Sequence, residues 1–187
     1  YIIYLIMFAI FAVILWACGM PIFDSLITAM GGAGTGGFAV YNDSIAHYHS
    51  SLITIVVSIG TLLFGINFNL YYFLLIRKFK VFFGDEELRT YLGIVAVATL
   101  LIFLNIFHLY GSWSQSLQYS FFEVSNVITT TGFGITNLTK WPLFSQTILL
   151  MLMIIGGSAG STAGGFKVMR SLIVTKITKN QILKTLY

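Results

Sequence analysis

Four long stretches of this chain contain no charged residue: 1–23, 44–76, 90–122 and 141–166. Each includes an apolar run near or above the ~20 residues that a helix needs to cross a bilayer. The glycine-rich and polar segments in each half are too polar to be spans themselves. The pattern predicts helices over 1–19, 50–77, 90–111 and from Pro142 onward, with re-entrant segments over 21–43 and 114–139. Each half therefore has the order helix, pore loop, helix.

Composition agrees with a membrane location. The chain is 57% apolar and 9% charged, with a mean hydropathy of +0.90, whereas soluble domains carry about 25% charged residues. We therefore expect an all-α integral membrane protein of tandem helix–pore-loop–helix repeats. The repeats would occupy residues 1–77 and 90–187, and a cytoplasmic loop over 78–89 would join them.

The basic residues predict how the chain is oriented. Of the ten lysine and arginine residues only Lys140 lies away from two clusters, one in the 77–90 loop and one near the C-terminus. The positive-inside rule places both clusters in the cytoplasm and both glycine-rich segments toward the outside. The basic excess is thus a signal of topology, and nucleic acid is not an expected partner because the chain lacks a soluble basic face. The clusters contain Arg77, Lys78, Lys80 and Arg89, and Lys167, Arg170, Lys176, Lys179 and Lys184.

One short signature occurs twice. Residues 130–134, Thr-Thr-Gly-Phe-Gly, resemble the potassium-filter sequence TVGYG, whose backbone carbonyls replace the water shell of an ion. Residues 35–39, Thr-Gly-Gly-Phe-Ala, repeat it in weaker form. Two copies between long apolar runs indicate a duplicated pore-loop unit. The predicted cation ligands are the backbone carbonyls of Thr35, Gly36, Gly37 and Phe38, and of Thr130, Thr131, Gly132 and Phe133.

The physical chemistry of these segments favours a monovalent cation. A short helix entering from outside would end near the bilayer centre, with the negative end of its dipole toward the ion. Gly37 and Gly132 permit the backbone conformations that turn successive carbonyls inward, and hard oxygen ligands suit a group I cation. The plainer interpretation is a pair of glycine-rich connecting loops. The residues show no arrangement of nucleophile and base, so we do not expect an enzyme.

The last apolar stretch is interrupted by ten consecutive small residues, 156–165. Glycine weakens a helix by up to about 1 kcal/mol per residue, and non-helical backbone at membrane depth must line water or be buried in protein. The run predicts a flexible gate below the filter, although its glycine spacing also matches helix packing. Lys167, just beyond, is either a cytoplasmic anchor or an electrostatic brake on cations. The gate residues are Gly156, Gly157, Ser158, Gly160, Ser161, Thr162, Gly164 and Gly165.

Three acidic residues lie near the pore segments. Asp24, Asp43 and Glu123 either concentrate cations at the mouth or stabilise the ends of pore helices. We expect Asp24 to act at a helix terminus. Glu123 falls within the second pore helix, where we expect it to pair with a neighbour behind the filter.

Four separated motifs carry one resemblance. They are Thr-Thr-Thr-Gly-Phe at 129–133, Gly-Gly-Phe at 36–38, Gly-Ile-Asn-Phe-Asn at 65–69 and the glycine-rich run 156–170. Together they resemble the Trk/Ktr potassium-uptake family, its TrkH-type membrane subunit in particular. That family has four repeats in one polypeptide, arranged with pseudo-fourfold symmetry around one filter. This chain resembles the second and third repeats, and its 156–165 run corresponds to the family's intramembrane gating loop.

The resemblance implies transport of K+ with no organic cofactor in this chain. It also implies a homodimer in the lipid of the bacterial inner membrane, gated by a cytoplasmic nucleotide-binding regulatory ring. Gly36 and Thr131 replace the valine of TVGYG, and Ala39 replaces its last glycine, so K+ would be discriminated from Na+ less sharply. Two alternatives stay open. Two copies of a complete two-repeat subunit would form a pore as a dimer, or a non-conducting membrane subunit would stabilise a partner complex.

Overall fold

A computed structural model describes residues 2–186, and within that range the ordered structure is helical. Nine α-helices are joined by loops and two short 3-10 turns, Ser44–Tyr48 and Leu138–Lys140. The helices are α1 (Ile2–Ala17), α2 (Ile22–Ala33), α3 (Ser51–Phe64), α4 (Phe68–Leu75), α5 (Phe79–Gly84), α6 (Glu86–Tyr110), α7 (Trp113–Ile128), α8 (Leu143–Ile155) and α9 (Val168–Leu186).

The helix ends follow local chemistry. Pro21 and Pro142 are the N-cap residues of α2 and α8. Proline suits a helix start because its missing N–H would have no partner there. Asp85 caps α6, and its carboxylate accepts the backbone N–H of Leu88 at 2.7 Å. This cap begins α6 at Glu86, inside the region predicted to be loop.

The predicted helix over 50–77 is wrong in one respect. It is divided into α3 and α4, which are bent by 93° at a break over 65–67. The Asn67 side chain accepts the N–H of Asn69 at 2.9 Å and so caps the start of α4. The 78–89 loop likewise contains a short helix, α5.

Among residues 2–186, only α6 is by itself long and apolar enough to cross a membrane. The bent pair α3 and α4 passes the same test together, whereas α1, α2 and α8 are shorter apolar helices. A 16-residue helix such as α1 measures about 24 Å at a rise of about 1.5 Å per residue.

Two apolar cores are built around the short helices. One core joins α1, α2 and α3, and it includes Phe11, Phe64 and, from the second half, Phe122 and Phe133. The other joins α6, α7 and α8, with Tyr91, Ile102 and Ile128 fully buried. Helix α7 packs against α6, α8 and α3, so it lies between the two halves. This arrangement brings the ends of α2 and α7, and the segments that follow them, into one region.

Candidate functional site

The two Thr-x-Gly-Phe segments, 35–38 and 130–133, have positive φ values at the same two positions. Thr35 and Gly37 have φ of +49° and +64°, and Thr130 and Gly132 have φ of +55° and +87°. The residue between each pair has no positive φ. A positive φ at threonine, a β-branched residue, is uncommon and strained, so its occurrence at both equivalent positions marks a shared and demanding geometry.

Matching hydrogen bonds tie each segment to the end of its helix. The N–H of Gly36 donates to the carbonyl of Gly31 at 2.8 Å, and the N–H of Thr131 donates to that of Asn126 at 2.8 Å. The preceding residue of each segment is also bonded alike. The N–H of Thr35 donates to the Gly32 carbonyl at 3.2 Å, and the N–H of Thr130 donates to the Val127 carbonyl at 3.0 Å. The two short helices therefore end and reverse in the same way.

The carbonyl groups of the two segments have no protein partner. Within residues 2–186, none of the backbone carbonyl oxygens at 35–38 and 130–133 accepts a hydrogen bond. Nearly all buried backbone carbonyls in proteins are paired. Two adjacent segments that leave their carbonyls free are therefore suited to hold a cation or water.

The segments contact each other directly. A Cβ atom added to Gly37 would collide with the Thr131 carbonyl oxygen and lie 3.0 Å from the Gly132 carbonyl carbon. At Gly132, by contrast, an added Cβ would have no atom within 4 Å. Above them, the N–H of Gly134 donates to the Ser44 hydroxyl at 3.2 Å. The predicted filter residues are thus brought together, and Gly132 borders open space.

The aromatic residues of the two segments differ. Phe133 is 2% exposed and packs behind the end of α2, where its ring lies 3.2 Å from a Cβ placed on Gly31. Phe38, its equivalent, is 75% exposed. One half therefore supplies a pocket for the aromatic residue of the other, while Phe38 has no such pocket among residues 2–186.

The glycine loop, residues 156–165, contacts the first threonine of each segment. The Thr35 hydroxyl donates to the Thr162 carbonyl at 2.9 Å, and the Gly164 N–H donates to the Thr130 hydroxyl at 2.7 Å. These contacts lie on the side where α2 and α7 end. Because the stretch between Ile155 and Val168 is not helical, the helix-packing interpretation of its glycine spacing is wrong.

The same loop fills the break between α3 and α4. The Ser158 N–H donates to the Gly65 carbonyl at 3.0 Å, and the Phe68 N–H donates to the Gly160 carbonyl at 3.1 Å. The Thr162 hydroxyl donates to the Phe64 carbonyl at 3.2 Å. The loop thus satisfies backbone groups that a continuous helix would have paired internally, which is why the predicted helix is broken.

Comparison with known proteins agrees with this geometry. A family model described as TrkH, a cation transport protein, matches residues 1–185. The chain belongs to the TrkH family. It is therefore a membrane protein of a cation-transporter family and not an enzyme, as the sequence predicted.

Individual members of the TrkH family are similar over most of the chain. The Trk system potassium uptake protein TrkH of Salmonella typhimurium is 35% identical over 181 residues, which cover 94% of this chain and 37% of that protein. The potassium uptake protein TrkG of Escherichia coli K12 is 32% identical, over 88% of this chain and 34% of that protein. The crystal structure of the potassium transporter TrkH from Vibrio parahaemolyticus superimposes with a TM-score of 0.93 at 30% identity, covering 98% of this chain and 40% of that one. The chain thus spans well under half the length of these relatives.

One residue of this TrkH-family site was not identified from the sequence. Glu87 lies in the first turn of α6 and is 2% exposed. Its carboxylate oxygen Oε1 accepts the N–H groups of Ala159, at 2.6 Å, and of Met169, at 3.1 Å. The sequence placed it in the cytoplasmic loop predicted over 78–89. Its position just before an uncharged span, beside the capping Asp85, was the available signal.

Asp24, Asp43 and Glu123 have different surroundings in the fold. Asp24 lies in the first turn of α2 and accepts the Tyr48 hydroxyl at 2.8 Å. Burial, together with the hydrogen bond to this carboxylate, raises the pKa of Tyr48. Asp43 precedes a 3-10 turn at the surface. Glu123 is buried in α7, and its Oε1 has no hydrogen-bond partner among the described residues, so the expected pairing with a neighbour is not seen there.

Proposed function

We propose that this chain forms part of a pathway for K+ uptake across a membrane. The observation that carries the proposal is the pair of matched segments, 35–38 and 130–133, with equivalent positive φ values and carbonyls free of protein partners. Rings of backbone carbonyls replace the hydration shell of K+ in known filters. Relatives named as potassium uptake proteins support the choice of ion.

Two segments supply only half of a fourfold filter, so further repeats must complete it. The exposed Phe38 supports this, because its equivalent, Phe133, is buried behind the neighbouring helix α2. A preceding repeat would bury Phe38 in the same way. Residues 1–77 and 90–187 would be two pore repeats of a pseudo-fourfold pore, joined by the cytoplasmic loop 78–89. The greater length of the relatives favours a single polypeptide over two copies of a two-repeat subunit.

The glycine loop would act as the gate. It reaches Thr35 and Thr130 on the side of the chain where α2 and α7 end. The basic residues of the 77–90 loop orient this side toward the cytoplasm. A loop held there lies below the filter, in the path of an ion. We expect the full protein to be a multi-pass protein of the bacterial inner membrane. It would assemble as a homodimer and bind a cytoplasmic nucleotide-binding ring that regulates the gate.

The filter is tested by Gly132→Ser in the full-length protein reconstituted into liposomes. An added Cβ at Gly132 meets no atom within 4 Å, so the substitution changes the filter backbone, where φ is +87°, without disturbing packing. We expect K+ flux to be abolished or K+ selectivity over Na+ to be lost. The matched control is Gly93→Ala in α6, which also has open space around the added Cβ and should conduct normally.

A flux that Gly132→Ser leaves unchanged in rate and selectivity would reject the filter. A parent protein that carries no K+ flux at all would instead favour the alternative, a non-conducting subunit that stabilises a partner complex. The mass of the native polypeptide separates a longer chain from the two-repeat subunit of 20.8 kDa.

A further inference from the structure

Glu87 is a buried carboxylate that binds two points of the backbone, one within the glycine loop and one just after it. A single oxygen accepts the N–H of Ala159, within the glycine loop, and that of Met169, in the first turn of α9. An ionised carboxylate is costly to bury unless it is paired and hydrogen-bonded. Hydrogen bonds to a charged acceptor are stronger than those between neutral groups. The loop and the start of α9 are therefore held to α6 by one side chain.

Basic groups surround this contact. The ammonium of Lys167 interacts electrostatically with both Glu87 and Arg170, and it donates a hydrogen bond to the Ala163 carbonyl in the glycine loop. Lys167 is thus hydrogen-bonded to the glycine loop, and its positive charge is attracted by the Glu87 carboxylate.

Glu86, the residue before Glu87, links α6 and α9 at the surface. Glu86 and Lys176 form an ion pair at 2.6 Å, with both side chains exposed. This pair joins α6 to α9 outside the loop, whereas Glu87 joins α6 to the loop itself. A shift of the first turn of α6 relative to α9 would break the two bonds of Glu87 and release the loop. That turn follows the 78–89 loop, which the positive-inside rule exposes to the cytoplasm.

We propose that Glu87 is a positioning residue that holds the glycine loop beneath the filter, and that its release couples the cytoplasmic 78–89 loop to opening of the gate. The proposal rests on the proposed function, because it assigns the loop as the gate. Glu87 touches no ion and acts only through Ala159 and Met169. Its loss should therefore change how often the pathway is open and leave ion selectivity unaltered.

The test measures K+ flux without any activating partner in liposomes that contain the full-length protein. Glu87→Ala removes both acceptor bonds, and we expect resting flux to rise about tenfold, the factor that ~1.4 kcal/mol represents. Glu87→Gln retains an acceptor oxygen without the charge and should give a smaller rise. Glu86→Gln removes the same charge one residue earlier, from an ion pair that is exposed and therefore contributes little to holding α6 against α9. Because Glu86 does not contact the loop, this variant should stay within about twofold of the parent. The K+/Na+ permeability ratio should be the same in all four proteins.

Amide hydrogen exchange gives an independent readout if Glu87→Ala does not fold. In Glu87→Gln, the amides of Ala159 and Met169 should exchange faster than in the parent and in Glu86→Gln. Unchanged flux in the Glu87 variants, or unchanged exchange at both amides, would overturn the proposal. Failure of the proposed function is distinguishable, because the parent protein would then not conduct K+ while these amides still lost protection in Glu87→Gln.

Discussion

Gly164→Ala tests whether the contact between the glycine loop and the filter controls opening. The Gly164 N–H donates to the Thr130 hydroxyl at 2.7 Å, and a Cβ added to Gly164 would lie only 2.7 Å from that same oxygen. The φ of Gly164 is not positive, so alanine can adopt its backbone conformation. The three atoms nearest to the added Cβ all belong to Thr130, so the substitution acts through crowding against that residue.

The size of the effect follows from this crowding. Added atoms in a packed site cost about 1–3 kcal/mol, and movement of the loop away from Thr130 relieves that cost. Taking about 2 kcal/mol, the ratio of closed to open protein falls roughly 30-fold. In liposomes that contain the full-length protein, resting rubidium flux should rise by up to this factor. Gly93→Ala, an equally small addition in open space on α6, should leave the flux unchanged.

A double-mutant cycle shows whether the effect passes through Thr130. Thr130→Ala removes the hydroxyl and methyl group that an alanine at 164 would meet, so Gly164→Ala should change resting flux far less in that background. Coupling energies of residues in contact are typically about 0.5–3 kcal/mol. A resting flux that Gly164→Ala does not raise, or raises equally in both backgrounds, would refute the assignment of the loop as a gate in contact with the filter.

Three further predictions use the same full-length protein. Gly37→Ala should lower the melting temperature more than Gly132→Ala. Both glycines have a positive φ, which costs an alanine about 1–2 kcal/mol, but only a Cβ at Gly37 also collides with the neighbouring segment. Phe133→Ala should cost about 3–5 kcal/mol, and Phe38→Ala a comparable amount if another repeat buries it. Burial raises the pKa of Tyr48 in the folded protein. The stability that the neutral Tyr48 side chain contributes is therefore complete below the unfolded-state pKa of about 10, and it is lost as the pH rises above that value. Tyr48→Phe should abolish that part of the decline.

Each of these predictions has a contradicting result. Equal melting temperatures for the two glycine variants would show that the segments are not in contact. A Phe38→Ala protein as stable as the parent would contradict the burial of Phe38 by a further repeat. For Tyr48, unfolding is followed between about pH 8 and 11, and an identical pH dependence in the phenylalanine variant would contradict the assignment.

Much of the site was predictable because its signals are local. The charge-free stretches, the two Thr-x-Gly-Phe segments and the run of small residues at 156–165 all occupy contiguous positions. Backbone requirements also leave a local trace, since glycine supplies the positive φ at Gly37 and Gly132. The positive φ of Thr35 and Thr130 could not be predicted from the sequence, because threonine does not favour that conformation. It became visible only in the folded chain.

Contacts between distant parts of the chain were not predictable. The apolar stretch over 50–77 is compatible with one helix, and the break over 65–67 exists because the glycine loop, far along the chain, satisfies the freed groups of Gly65 and Phe68. Glu87 had the pattern of a solvated acid at a helix start, and only folding placed two N–H groups against it.

The sequence alone therefore determined that the chain is a membrane protein with two similar Thr-x-Gly-Phe segments and an interrupted last apolar stretch. Composition, charge distribution and short motifs are sufficient for that, because each depends on neighbours along the chain. The tertiary structure decided how these pieces meet: which phenylalanine is buried, which threonines the glycine loop contacts and which carboxylate holds it. Those outcomes depend on packing between the two halves, where burial and hydrogen bonding join residues that are far apart in the sequence.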